Sequence, residues 1–190
     1  VLNDLLYVPD VRLKPRILTE LIRYLGVKIC SKQHKLKFFI AHQDSELTGY
    51  VVSHIHPTYT SYSRKCGTFG WLMTKNLETC KKFMKECELF MRKNKVRKIR
   101  GNINFPKGLG GIGIQESGFE ERMMYGVAFN NPKIKLLDYL DKLGYIRESE
   151  YTCMKVTKKA WSSGKIIAKG IKLGYLTLKE LIEKKDEIYS

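Results

Sequence analysis

A chain of 190 residues with 43% hydrophobic and 11% aromatic content has the means to bury a sizeable core. That sets disorder aside and fits one globular domain with a short appendage. Its 35 Lys+Arg against 19 Asp+Glu give a formal charge of +16, which favours polyanions such as nucleic acid, acidic membrane surfaces or phosphorylated ligands, although the lysines are scattered with no run of five or six, so evenly spread charge is the plainer reading.

Residues 14–30 carry Ile17, Leu18, Leu21, Ile22 and Leu25 on one helical face, with Pro15 suited to the first turn and Gly26 to the end. Residues 36–42 and 46–55 read as the two strands of a hairpin about an Asp44-Ser45 turn. A polar loop rich in Tyr and Ser follows over 57–65, then a strand at 66–73. Residues 77–94 form an amphipathic helix in which Leu77, Cys80, Phe83, Met84, Cys87, Phe90 and Met91 share a face, a stripe that is core and not a cofactor box. A strand is predicted at 96–103, a glycine-rich loop at 104–119, a strand at 122–129, and a helix at 133–143 entered through Asn130-Asn131-Pro132 and ended by Gly144. Residues 151–156 make a last strand. The domain is thus expected to span 1–157, with 158–190 a connector or appended helix over 176–188 capped by Thr177. Val1 in place of Met, and a charged last stretch that stops in mid-pattern, lead us to expect further chain at both ends.

Cysteines 30, 66, 80, 87 and 153 match no zinc spacing and include no CxxC pair. That argues against a disulfide framework or a cysteine-built metal site, and for a reducing cytoplasm. Cys80 and Cys87, seven apart on a helix, read as core. No apolar run approaches a membrane span and no signal peptide is visible, so no membrane partner is expected.

The unit strand 66–73, helix 77–94, strand 96–103 is joined by only Thr74-Lys75-Asn76. It delivers a helix N-terminus to a strand end, where α/β proteins bind phosphate-bearing ligands, so cofactor binding is the first hypothesis. The glycines of 108–113 do not form a dinucleotide fingerprint, because no continuous helix follows them. They read as a flexible substrate-side loop or as a tight wrap.

The order helix, hairpin, strand, helix, strand, loop, helix, strand resembles the GNAT N-acetyltransferase fold without its first strand. Several words are similar to a bacterial and archaeal GNAT-like branch of unknown substrate. They are Tyr7-Val8-Pro9; Phe38-Phe39-Ile40-Ala41 with Gly49 and Ser53-His54-Ile55-His56; Gly67-Thr68-Phe69-Gly70-Trp71; and Arg100-Gly101-Asn102-Ile103-Asn104-Phe105, where Asn102 replaces Pro. Gly113-Ile114-Gln115, Gly118-Phe119-Glu120, Met123-Met124, Asn130-Asn131-Pro132 and Lys142-Leu143-Gly144-Tyr145 continue the match, which covers roughly 5–156. The resemblance implies an α/β (α+β) fold with a mixed, mostly antiparallel sheet flanked by helices, its first strand upstream of Val1. It also implies that 158–190 links to a second GNAT-like half.

The implied activity is transfer of an acetyl group from acetyl-CoA, or another acyl group from its CoA ester, to a small-molecule or peptide amine. The donor would lie in a gap between two splaying strands, with Leu72, Met73, Thr74, Lys75, Asn76, Leu77 and Asn131 holding it and its pyrophosphate at the helix N-terminus. Thr74-Lys75-Asn76 departs from the family's glycine signature, and Glu78 in the first turn suits an unliganded helix dipole. Leu140 stands where the family places a tyrosine acid, and Tyr139 points about a hundred degrees away. Candidate bases are His54 and His56, which share a strand face, and Glu120; solvated side chains are the plainer reading of all three. Asn104 is a candidate for orienting substrate, or else a turn former. No metal is expected.

The rival reading is a non-catalytic binding module. Arg92, Lys93, Lys95, Arg97, Lys98 and Arg100, with Tyr59, Tyr62, Arg64 and Lys65, would make a basic-aromatic surface for RNA, or simply a solvated helix end.

Overall fold

Two long strands, β1 (Lys35–Gln43) and β2 (Glu46–Ile55), form the hairpin expected about Asp44-Ser45. Asp44 and Ser45 turn it with φ of 49° and 68°, the left-handed pair that a two-residue hairpin turn requires. This geometry comes from a computed structural model, which describes residues 6–122 and 126–153. The chain divides into the units Val1–Ile146 and Arg147–Ser190. The expected boundary at 157, the helix at 176–188 and residues 154–156 of the last expected strand lie outside the described residues. Residues 151–153 form no strand.

In the first unit, helix α1 (Lys14–Ile29) precedes the hairpin. Short strands β3 (Thr60–Ser61) and β4 (Arg64–Lys65) pair with each other, and β5 (Gly67–Thr74) returns alongside β2. Helix α2 (Leu77–Lys93) leads to β6 (Ile99–Arg100); one turn, α3 (Lys107–Gly110), and a last helix, α4 (Leu136–Lys142), complete it. The main sheet has the order β1-β2-β5-β6, antiparallel except for the parallel pair β5/β6. It is a mixed α+β architecture with a mixed sheet between helices.

The central strands are buried on both faces: every residue of β5 and every one from Thr48 to Ile55 in β2. On one face Ile17, Leu21 and Leu25 of α1 pack on Tyr50, Val52, Trp71 and Met73. On the other, Cys80, Phe83, Met84 and Cys87 of α2 pack on Val51, Phe69 and Leu72 with Leu136 and Leu140 of α4. At about 25 cal/mol per Å² of apolar surface removed from water, these two layers dominate the stability. Cys80 and Cys87 are packing groups, their thiols pushed up to about 11 and about 12 by burial.

The structure revises several elements. Gly26 lies inside α1, which runs on to Ile29, since one exposed glycine costs a helix only about 1 kcal/mol. The strand expected over 96–103 pairs only at Ile99–Arg100, because a left-handed Lys95 (φ 58°) turns the chain after α2 and the chain leaves the ladder beyond Gly101. Of the strand expected at 122–129, Val127 makes one isolated bridge with Ile112, and 123–125 lie outside the described residues. The helix expected at 133–143 begins at Leu136, because Asn131 first builds a turn: its Oδ1 accepts Lys133 N at 3.0 Å and its carbonyl accepts Ile134 N at 3.0 Å. The glycine-rich stretch is the tight wrap of the two alternatives, held by an Ile103–Ile112 bridge and by α3.

Candidate functional site

The sheet opens in the middle of β5. On its β6 side, Gly67 and Thr68 pair with Ile99 and Arg100, and Ile103 N donates to Phe69 O at 2.9 Å. Against β2 the register slips between Tyr50 and Val52, and Trp71 takes φ 50°, a bulge that turns the strand away from its parallel neighbour. Trp71 N then donates not to a backbone carbonyl but to Asn104 Oδ1 at 2.5 Å, while Asn104 Nδ2 donates to Gly110 O at 3.0 Å. Asn104 is fully buried, with both amide ends bonded to protein backbone. The side chain expected to orient substrate instead bridges the parting strands.

Beyond this bridge the C-terminal half of β5 borders a cavity of about 160 Å³. Its walls are Leu72, Met73, Thr74 and Lys75 on one side, with Asn130, Asn131, Ile134 and Leu136 on the other. A space of this size takes a benzene-sized group, so it holds one end of a ligand and not a nucleotide. Five residues expected to bind cofactor, Leu72, Met73, Thr74, Lys75 and Asn131, line it together. The other two do not: Asn76 caps α2, its Oδ1 accepting Thr79 N at 2.9 Å, and Leu77 opens that helix. The Lys75 ammonium is ion-paired with Glu46 at the surface, and Glu78 faces Lys82 at 3.8 Å. Asn130, Ile134 and Leu136 are lining residues that sequence reasoning missed; the Asn-Asn-Pro turn was their only local signal.

His54 and His56 lie elsewhere. His54 pairs with Thr68, whereas Tyr50 pairs with Met73, so the histidines sit toward the opposite end of β5, about 16 Å along the strand from the cavity. They gather with His34, which sequence reasoning did not single out, at ring separations of 4.7 to 5.6 Å. Lys28 Nζ lies 3.3 Å from His34 Nε2, and His34 Nδ1 lies 2.9 Å from His54 Nε2. An ammonium only donates, so Lys28 fixes His34 as the Nδ1–H tautomer, which donates to His54 Nε2. Burial, then the nearby His34, His56 and Lys28, push His54 down to about 4; His34 and His56 are lowered as well, first by desolvation. Glu120 is exposed in the turn where Glu121 N donates to Gly118 O, and no described contact ties it to the histidines or the cavity. Among the described residues no His, Cys, Asp and Glu are grouped to hold a metal ion, and no helix is long and apolar enough to cross a membrane.

This depressed histidine makes stability depend on pH. As pH falls, the unfolded chain takes up a proton near 6.5 while folded His54 waits until about 4, so stability is lost between those values. The expected loss is about 3 kcal/mol at most. Denaturant melts from pH 7.5 to 4 check it: the native chain should weaken steeply below pH 6.5, and His54→Phe should show a distinctly flatter profile. Parallel profiles for the two proteins would contradict this account of His54.

Of the basic-aromatic surface predicted from the sequence, part assembles. Lys98 Nζ lies 4.7 Å from the centre of the Tyr62 ring, and Arg100 Nη1 donates to Tyr59 OH at 3.0 Å.

Compared with known proteins, the chain matches no family model, no curated protein and no solved structure.

Proposed function

We propose that this chain is a GNAT-type N-acyltransferase acting in the cytoplasm, with an acyl-CoA as donor and a small-molecule or peptide amine as acceptor. One observation carries the reading: β5 loses its parallel partner before Trp71, and farther along the strand Leu72–Lys75 border a cavity walled on its other side by Asn130, Asn131, Ile134 and Leu136. The GNAT resemblance places the donor in such a gap. The cavity's size suits the acyl and thioester end, while the nucleotide end would lie outside, near Lys75 and the start of α2. Five free cysteines accord with a reducing compartment.

The chemistry is direct attack. The amine nitrogen adds to the thioester carbonyl carbon, a C–N bond forms, the C–S bond breaks, and the departing thiolate takes the proton that the amine gives up. Among the described residues Lys75 is the one titratable side chain on the cavity wall, and in this reading the acceptor arrives as its free base. His54 and His56, on the far part of the sheet, are not assigned the base role in this reading. Rate acceleration then rests on orientation of the two reactants, a contribution that reaches several kcal/mol when the geometry is right.

Calorimetric titration of acetyl-CoA against the native chain and Lys75→Glu tests the placement of the phosphates. Roughly tenfold weaker binding by the variant is expected, the size of losing one charge-assisted contact. Unchanged affinity would remove Lys75 and the α2 terminus from the donor site.

A second reading, a non-catalytic module that binds RNA, is favoured by the Lys98–Tyr62 and Arg100–Tyr59 contacts on one basic-aromatic surface.

A further inference from the structure

A second, larger cleft of about 460 Å³ shares no lining residue with the first and lies where Tyr24 and Lys28 of α1 meet His56 and Tyr59 after β2 and Phe105 and Lys107 at the start of α3. Its volume falls within the range of small-molecule sites. Three features set its chemistry.

The first is charge. Lys28 and Lys107 both line it, and among the described residues no carboxylate lines it and neither ammonium is held by an acid. Lys28 Nζ contacts His34 Nε2 and stands 5.7 Å from the centre of the Tyr24 ring; Lys107 Nζ stands 5.3 Å from the centre of Tyr59 and 5.6 Å from that of Phe105. Burial first, and then both ammonium groups, depress the basicity of His56, as positive charges facing one imidazole must. Ring faces compensate an ammonium by about 1 kcal/mol, well short of what a bound dianion supplies.

The second is a fixed donor. His56 Nδ1 accepts from Thr58 N at 3.3 Å and lies 3.1 Å from Thr58 Oγ. A neutral imidazole whose Nδ1 accepts carries its proton on Nε2, so His56 brings one N–H to the cleft beside the two lysines.

The third is a set of flat surfaces. Tyr24, Tyr59 and Phe105 line the cleft, and His56 lies parallel to Phe105 within 19° at 6.0 Å. Rings of this kind stack on a planar base without reading its sequence. Two ammonium groups and an N–H favour a phosphate dianion over a single carboxylate, and the aromatic walls favour a planar group attached to it.

We propose that this cleft binds a phosphate monoester bearing a flat ring of nucleoside size, that is, a nucleoside monophosphate. The lysines and His56 take the phosphate, and the tyrosine and phenylalanine rings take the base. The site is independent of the acyl-donor cavity, so either stands if the other fails.

Calorimetric titration of the full chain with adenosine monophosphate, inorganic phosphate and adenosine, separately, tests this at about physiological salt, where long-range attraction to a basic protein is screened. The monophosphate should bind one to one and at least tenfold more tightly than phosphate or adenosine. Lys28→Gln and Lys107→Gln should each weaken it about tenfold. Lys75→Gln, at the other cavity, should leave it unchanged and so separates this cleft from a donor-nucleotide site. Circular dichroism confirms that the variants fold. The proposal is overturned if the monophosphate binds no better than phosphate, if the two lysine variants bind as tightly as the native chain, if Lys75→Gln alone abolishes binding, or if only single-stranded RNA binds.

Discussion

Gly70→Ala should destabilise the fold by about 3–5 kcal/mol, among the largest effects of any single methyl in the chain. A Cβ built on Gly70 meets Ile103 O at 1.9 Å and Ile103 C at 2.6 Å, with Asn104 N at 3.2 Å. All three are backbone atoms of the segment bonded to β5, so no rotamer change relieves the clash. The segment must retreat by more than an ångström, which strains the Ile103–Phe69 hydrogen bond and the Asn104 bridge together. Urea denaturation reads the loss directly through the midpoint. A variant within 1 kcal/mol of the native chain would mean that the strands do not approach this closely.

The second large effect is expected at Asn104→Ala, about 2–5 kcal/mol. The substitution leaves Trp71 N without its acceptor and Gly110 O without its side-chain donor, both in buried surroundings. Each orphaned group costs roughly 1–3 kcal/mol. Asn104→Asp discriminates further: it keeps the acceptor for Trp71 N but places a charge opposite a carbonyl, so it should be no better than alanine. A loss below 1 kcal/mol for alanine, with substrate turnover reduced, would return Asn104 to the substrate-orienting role that its strand-end position first suggested.

These two positions also mark the limit of what the sequence could say. The hairpin and the buried strand were legible as short apolar runs bounded by turn residues, Asp44-Ser45 among them, and the α2 stripe because burial of one helix face imposes a period of 3.6. The short pairing of β6 was not, because the run 96–103 reads as one strand, whereas a left-handed Lys95 turns the chain before it and the chain leaves the ladder beyond Gly101. Asn104 posed the same difficulty: a buried asparagine that replaces a strand reads locally like any turn residue.

The residues of the two clefts divide in the same way. Leu72, Met73, Thr74, Lys75 and Asn131 were named from a resemblance and line one cavity together. His54 and His56 were visible as an alternating pair, but their distance from that cavity follows from strand register, which no local pattern encodes. His34 was recoverable in principle. Leu36 pairs with His54 in the hairpin, so continuing the register places residue 34 beside His56. Lys28 and Lys107 gave no signal among 35 basic residues, because what distinguishes them is the absence of a carboxylate in a cleft built from three separate segments.

Acetyl-CoA is itself a polyanion and this chain carries +16, so affinity alone does not locate a site. The most direct test of the acyltransferase reading is therefore a thermal-shift titration with acetyl-CoA at about 0.15 M salt, where such attraction is largely screened, on the native chain and on Ile134→Trp, whose indole fills the cavity beside Leu72 and Leu136. At a hundredfold excess over Kd a specific ligand stabilises by about 2.7 kcal/mol, a rise of roughly 5–10 °C for a domain of this size. The account predicts that rise in the native chain and its loss in a folded Ile134→Trp. No shift in the native chain, or equal shifts in both proteins, would contradict it.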